Sequence, residues 1–298
     1  MPSPGSYMQN DFKLSAVVIT FYPPKDELIH NIKQFINHVD TLIIWENTPD
    51  GIRESYHPAL PEYNNKIIYL GTNKNEGIAY PLNRSIEWSI KNKFTHILAM
   101  DQDSCWDNFG YYKSKISEYN NIPDIGIFAP VIYEKSKRNL QDLSYVKDVI
   151  TSGAVYKLKM VEEIGLFRED FFIDAVDLEY CYWAARNSYK TAVLGGAFLK
   201  QQYGKSTEHK FLNKTYRPLN YSAFRIFHIV RNHIFLWKEF PELSDFEKSR
   251  IIQVYILRRM KEIVLFEKDK INKLFSVFKG IFFGLLSIGE VRRRKVTS

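Results

Sequence analysis

Cysteine is nearly absent, with only Cys105 and Cys181 in 298 residues. A disulfide-stapled scaffold is therefore excluded, and a reducing compartment is expected. No apolar stretch reaches the roughly 18 residues that a membrane-spanning helix needs. The start of the chain shows no charged-then-apolar leader. No segment repeats and none is of low complexity, which excludes solenoids and tail-like disordered chains. A cytoplasmic protein is expected, in contact with a membrane at most from its inner face. The opening Met1-Pro2-Ser3-Pro4-Gly5-Ser6 reads as a vector-derived remnant, so residues 1–10 are expected to be a disordered leader with Met8 as the natural start.

The composition is that of a globular protein, 45% hydrophobic and 25% charged. Aromatic residues reach 15%, including 19 Tyr and 21 Phe. Such rings suit stacking on sugar faces and equally suit a Phe-rich core, and composition leaves both open. The net charge of +7 is unevenly spread. Between Lys248 and the last residue stand 13 Lys and Arg against four Asp and Glu. A basic tail on a near-neutral body suits an anionic membrane surface, a nucleic acid or plain solvation.

Short β-branched runs at Leu14–Thr20, Thr41–Trp45, Lys66–Leu70 and His96–Met100 read as buried parallel strands. Helical spacing over Glu27–Phe35 and Ala79–Lys91 falls between them. Strands alternating with helices imply βαβ units and a largely parallel sheet with ligands beyond the strands' carboxyl ends. Ile125–Ile132, the stretch after Thr151 and Thr191–Leu194 read as further strands. From Tyr221 to about residue 286 the pattern is helical and amphipathic. The expected organisation is an α/β catalytic domain over 11–220 and a basic helical extension over 221–298.

Asp101-Gln102-Asp103 follows the fourth strand directly. Residues two apart on an extended chain face the same way, so two carboxylates converge on one point. They repel unless a cation lies near them, and a divalent metal with oxygen ligands fits, as does simple capping of a helix. Asp174 and Asp177 stand three apart at the start of a helix, behind the apolar Phe171-Phe172-Ile173. One of them suits a general base in a partly dry pocket, or both serve the helix dipole. Asn73, Asn75, Gly77 and Asn83 suit contacts with a base or ribose, or ordinary turn chemistry. Arg225 and Arg231-Asn232 on one helix suit a diphosphate, or a surface ion pair.

The order of these pieces resembles the family 2 glycosyltransferases of GT-A fold, and among them the bacterial rhamnosyltransferase-like group. The likeness runs from about Leu14 to about Leu236. It rests on Val17-Val18-Ile19-Thr20, Asn73–Ala79 with Asn83, Asp101-Gln102-Asp103-Ser104, Ser152-Gly153, Phe171–Asp174 with Asp177 and Glu179, and Arg231-Asn232. The resemblance implies a Rossmann-like, mostly parallel sheet flanked by helices. It implies an inverting transfer from a UDP- or dTDP-sugar with Mn²⁺ or Mg²⁺. Asp103 takes the place of the metal ligand, and Asp177, with Asp174 beside it, that of the catalytic base. Thr20, Glu46, Asn75, Asn83, Asp101 and Arg231 fall on the donor side, and Ser152, Gly153 and Glu179 on the acceptor side.

Departures from the family pattern are Glu46 for Asp, Tyr22 for Asn, Val176 for an acidic residue, Trp183 for Arg and Gln201 for His. The implied acceptor is a lipid-linked or polysaccharide hydroxyl. Phe275, Phe278, Ile281, Phe282, Leu285 and Leu286 recur at helical spacing between basic clusters. They suit membrane-surface contact, packing on the chain's own domain, or a second copy. No nucleic-acid partner is expected. Other donors of the same fold (galactofuranose, another hexose, an N-acetylhexosamine) remain alternatives, as do a haloacid-dehalogenase-type phosphatase and a non-catalytic binding module.

Overall fold

The four early apolar runs form one half of a nine-stranded sheet. In the computed structural model the described residues are 12–49, 60–133, 141–201, 208–211, 214–286 and 293–296. The leader expected over 1–10 lies outside them. Strands β1 (Leu14–Thr20), β2 (Thr41–Glu46), β3 (Ile67–Gly71) and β4 (His96–Asp101) pair in parallel in the order β3-β2-β1-β4. The sheet continues through β8 (Val155–Lys157), β6 (Ile125–Ile132), β9 (Lys190–Gln201) and β5 (Ser104–Trp106), and β7 (Leu143–Val146) pairs with β9. Strand β8 is antiparallel to both its neighbours, whereas β6 and β9 are parallel. The sheet is thus mixed, with its parallel half on the side of β1 to β4. A separate two-stranded sheet joins β10 (His209–Phe211) and β11 (Lys214–Tyr216).

The two-residue period of the strands divides the core between the sheet's faces. Val17, Ile19, Ile43, Trp45, Ile97 and Ala99 pack with α2 (Ala79–Lys91), α4 (Leu158–Ile164) and α5 (Val176–Arg186). Leu14, Ala16, Val18, Leu42, Ile44, Leu98 and Met100 pack with α1 (Lys25–Lys33) and α3 (Phe109–Tyr119).

Strand β9 runs seven residues beyond the Thr191–Leu194 stretch expected from sequence. Gly195-Gly196 reads as a turn, but Gly196 adopts φ 78° within the strand. There the register with β6 jumps from Pro130–Leu194 to Val131–Phe198. The glycine makes a bulge, and the strand carries on to Gln201 at the sheet edge.

The C-terminal part comprises α6 (Ala223–Glu239), α7 (Asp245–Arg250), a π-helical stretch over Ile251–Arg258, α8 (Arg259–Phe266) and α9 (Lys270–Leu286). Ser244 and Glu247 form a capping box that restarts the helix after Pro241. Helix α9 lies on α6 through Val277, Gly280 and Gly284. A Cβ on Gly280 would meet the Phe227 carbonyl oxygen at 2.9 Å, so only glycine allows this approach. Ile271, Phe275, Phe278, Phe282, Leu285 and Leu286 face outward and are exposed. Among the described residues no helix is long and apolar enough to cross a membrane.

Candidate active site

The Asp-x-Asp segment is held by its neighbours at the end of β4, where Gln102 and Asp103 form a turn and not the extended chain expected from sequence. Asp101 ends β4, and its backbone N–H donates to Ser152 Oγ, which donates in turn to Ser104 Oγ. The intervening Gln102 is turned away: its amide accepts from Phe21 N and donates to Phe21 O. Asn31 on α1 donates to the Gln102 carbonyl at 2.9 Å. From the far edge, Gln201 Nε2 donates to Asp101 Oδ2 at 2.9 Å. Cross-strand pairing aligns Thr20 with Glu46 and Glu46 with Gly71 beside this point.

The second acidic segment is built on strained backbone. Phe172, Asp174 and Ala175 have φ of 54°, 63° and 61°. Left-handed conformations of such residues cost about 1 kcal/mol or more each and persist only where surroundings enforce them. Asn232 on α6 supplies that enforcement, its amide donating to the carbonyls of Phe171, Ile173 and Asp174. The Ile78 N–H donates to Phe172 O at 2.6 Å, and Gly77 at φ 74° lies flat against the same carbonyl. Arg225 closes a two-pronged fork on Asp174, Nε at 3.0 Å and Nη2 at 3.1 Å. The result is a helix α5 whose first turn presents Asp177 to the cleft.

The electrostatics join the two segments. Burial raises Asp101 to about 7, with repulsion from Asp103 and then Asp177 adding, and Gln201 and Arg225 opposing. Asp103 is raised mainly by burial, with Glu27 of α1 adding and Arg225 opposing. Asp177 is raised to about 6 by burial and by Asp174, against the Leu178 N–H that it accepts. Asp103, Asp177 and Arg225 all act on Asp101, so the strand end and the helix start lie near one another.

This donor set suits a divalent cation. Asp101 and Asp103 are crowded, mutually repelling oxygen donors, and Gln201 Oε1 is buried without a hydrogen-bond partner among the described residues. An oxygen-coordinated ion satisfies all three. Among the described residues no group of three or more His, Cys, Asp or Glu is placed to hold a metal alone.

Several residues assigned by resemblance have other work. Asn83 is fully buried and ties α2 to the next segment, donating to Phe167 O and Glu169 Oε1 and accepting from Phe167 N. Its amide is not open to a donor. Glu179 is buried and paired with Arg293, so its carboxylate is committed within the protein. Ser152 is buried beneath Asp101, and Gly153 at φ 82° serves close packing, where a Cβ would meet Pro130 and Leu199. Arg231 donates to Asn232 Oδ1 and to the Asp170 carbonyl, and the guanidinium at the carboxylate cleft is that of Arg225.

Thr20 closes β1, and Asn75 lies in the loop ahead of α2. Thr20 donates to Trp45 O, and Asn75 Oδ1 accepts from Asn47 Nδ2 and Gly77 N. Sequence reasoning missed Asn47, which also donates to Gly77 O and accepts from Glu76 N to close that loop. It also missed Glu27, and the packing of Phe172 against Phe224 and His228 of α6. The one available signal was the dense turn that begins at Asn47.

No protein-family profile matches the chain. A curated relative, the dTDP-rhamnosyl transferase RfbF of Shigella flexneri, is 28% identical over 135 residues, 39% of this chain and 44% of its own length. The match thus spans less than half of that relative. Among solved structures, GalNAc-T7 with UDP, GalNAc and Mn²⁺ has a TM-score of 0.59 at 12% identity, covering 94% of this chain and 57% of its own. TarS 1–349 of S. aureus has a TM-score of 0.50 at 13% identity, covering 90% of this chain and 81% of its own. The shared architecture is the GT-A fold, a mixed α/β sheet flanked by helices.

Proposed function

We propose that the chain is a nucleotide-sugar-dependent, cation-assisted glycosyltransferase that inverts the anomeric centre, with Asp177 as general base. What supports this reading is the pairing of Gln201 with Asp101 at the end of β4 and of Arg225 with Asp174 ahead of α5, with Asp103 and Asp177 both near enough to repel Asp101. Asp101, Asp103 and the Gln201 amide oxygen would hold Mn²⁺ or Mg²⁺ together with the donor's diphosphate. When bound, that ion neutralises charge on the departing nucleoside diphosphate. Arg225, fixed on Asp174, keeps positive charge beside the same oxygens. Thr20, Glu46 and the Asn75 loop line the donor edge. Residues 11–220 supply most of the site, and α6 of the C-terminal region completes it with Arg225 and Asn232.

Asp177 takes the proton from an acceptor hydroxyl. The hydroxyl oxygen bonds to the anomeric carbon as the bond to the diphosphate breaks on the opposite face, so the configuration inverts. A general base contributes roughly 10²–10⁴ in rate. A dTDP-rhamnose donor is the first choice because the curated relative is a dTDP-rhamnosyl transferase. UDP-sugars follow, since GalNAc-T7 was solved with UDP.

The acceptor class is a lipid-linked or polysaccharide intermediate at the inner face of the cell membrane. What favours it is the outward Phe275, Phe278 and Phe282 on a helix that also carries Lys270 and Lys279. The test is nucleoside diphosphate release from a panel of dTDP- and UDP-sugars with Mn²⁺, Mg²⁺ or chelator. Product anomers are then assigned by NMR. No release from any donor would defeat the reading, chelator-insensitive release would remove the cation, and retained configuration would remove the single displacement.

A further inference from the structure

Helix α5 carries Asp177 toward the cleft and Glu179 toward the core, because residues two apart on a helix point to nearly opposite sides. Glu179 is buried, its side chain 1% exposed. A lone carboxylate there would be costly, and its neighbours decide whether the helix stays in place. The nearby cation Arg168 is committed to Asp170 and Glu239. The partner of Glu179 is Arg293, from the far end of the chain and itself only 5% exposed.

Arg293 is seated by more than charge. Its Nη1 donates to Leu166 O at 2.9 Å, and its guanidinium lies 4.6 Å from the Trp183 ring centroid and 5.4 Å from that of Tyr180. The Leu166 N–H donates to Arg294 O, Arg294 pairs with Glu87 and Glu169, and Val296 packs on the core. Gly165, at φ 94°, leaves the room: a Cβ there would meet Arg293 Cβ at 3.1 Å. The same turn is stapled to α5 by Tyr180 Oη donating to Gly165 O and Trp183 Nε1 to Ile164 O. Position 183 lies four residues beyond Glu179, within reach of it for an arginine on the same helix. Here it is tryptophan, and the cation arrives from residue 293 instead.

We infer that residues 293–296 are a strap and that Arg293 is a positioning residue, holding α5, and through it Asp177, against the cleft. The role of Asp177 in this rests on the glycosyltransferase reading above. The test uses the full chain as Arg293→Met, and as Arg293→Met with Trp183→Arg. Hydrogen exchange of residues 176–186 is measured beside kcat and donor KM.

The expected result for Arg293→Met is faster exchange in α5 and a ten- to a hundredfold loss of kcat, on the order expected from slight misplacement of a reacting group. Donor KM should stay within about twofold. Trp183→Arg should restore both exchange and kcat by supplying the cation from the helix itself. Unchanged exchange in α5 overturns the strap, whatever the activity. Faster exchange with wild-type kcat, or lost kcat without rescue, overturns the positioning role. If Arg293→Met does not fold, Arg293→Lys, which keeps the charge and loses the fork, carries the same comparison. If the wild-type chain turns over no nucleotide sugar, the functional reading fails while the exchange measurement still decides the strap.

Discussion

Replacing Asp177 with Asn tests the assignment of the base through its pH dependence. Burial and the Asp174 charge raise Asp177 to about 6 from an ordinary value of 3.8. At that value about 97% of the side chain is ionised at pH 7.5 and about 9% at pH 5. A reaction that needs the carboxylate should therefore lose roughly tenfold in kcat/KM between those pH values. An aspartate at 3.8 would remain about 94% ionised at pH 5, and the profile would be nearly flat. The sign follows from the chemistry: the protonated acid accepts no proton, so activity falls as pH drops through 6.

Asp101, raised to about 7, would add a second limb. Saturating Mn²⁺ competes with its proton and keeps it ionised, leaving the limb of Asp177. Rates are read as nucleoside diphosphate release at fixed saturating donor, and donor affinity by calorimetry. Asp177→Asn should lower kcat by roughly 10²–10⁴, keep donor binding and abolish the acid limb. More than a tenth of the wild-type kcat in that variant, or a wild-type rate unchanged from pH 7.5 to 5, would refute the reasoning.

Three further outcomes are expected. Gly77→Ala forces a Cβ into the Phe172 carbonyl at a left-handed φ, so unfolding in urea should show a loss of roughly 2 kcal/mol or more, with activity falling alongside; stability within about 0.5 kcal/mol of wild type would dismiss the contact. Ionised Asp101 is destabilising above its folded value near 7, so Asp101→Asn should raise the melting temperature of the cation-free chain at pH 8. Mn²⁺ should raise the melting temperature of the wild-type chain more at pH 8 than at pH 5.5, and that of Asp101→Asn little; equal Mn²⁺ shifts in both proteins would remove Asp101 from the cation site. Replacing Phe275, Phe278 and Phe282 together with Ser should abolish flotation on phosphatidylglycerol vesicles without loss of fold, whereas equal flotation would leave the exposed face for a second copy of the chain.

Much of the site was legible because its parts are local. The Asp-x-Asp segment was expected at a strand end, and β4 does end on Asp101, although Gln102 and Asp103 then turn and the strand's two-residue period stops there. The acidic segment sits at the start of α5 as its pattern required. What failed was partner choice. Arg225 and Arg231 are equally arginine to a sequence reader, yet only the turn of α6 decides that the first meets Asp174 and the second meets Asn232. Asn83 looks like any polar residue of a helix until its burial and its bonds to Phe167 are seen.

The amino-acid sequence alone determined seven of the strands (not β5, β7, β10 or β11), the alternation that makes an α/β sheet, and the two acidic clusters. These follow from hydrophobic periodicity and short spacings, which act over a few residues. Only the tertiary structure decided which charges meet, how far β9 continues past its glycines, and that residue 293 returns to α5. Contacts between distant positions leave no period in the chain, so they exist as information only once the backbone has brought them together.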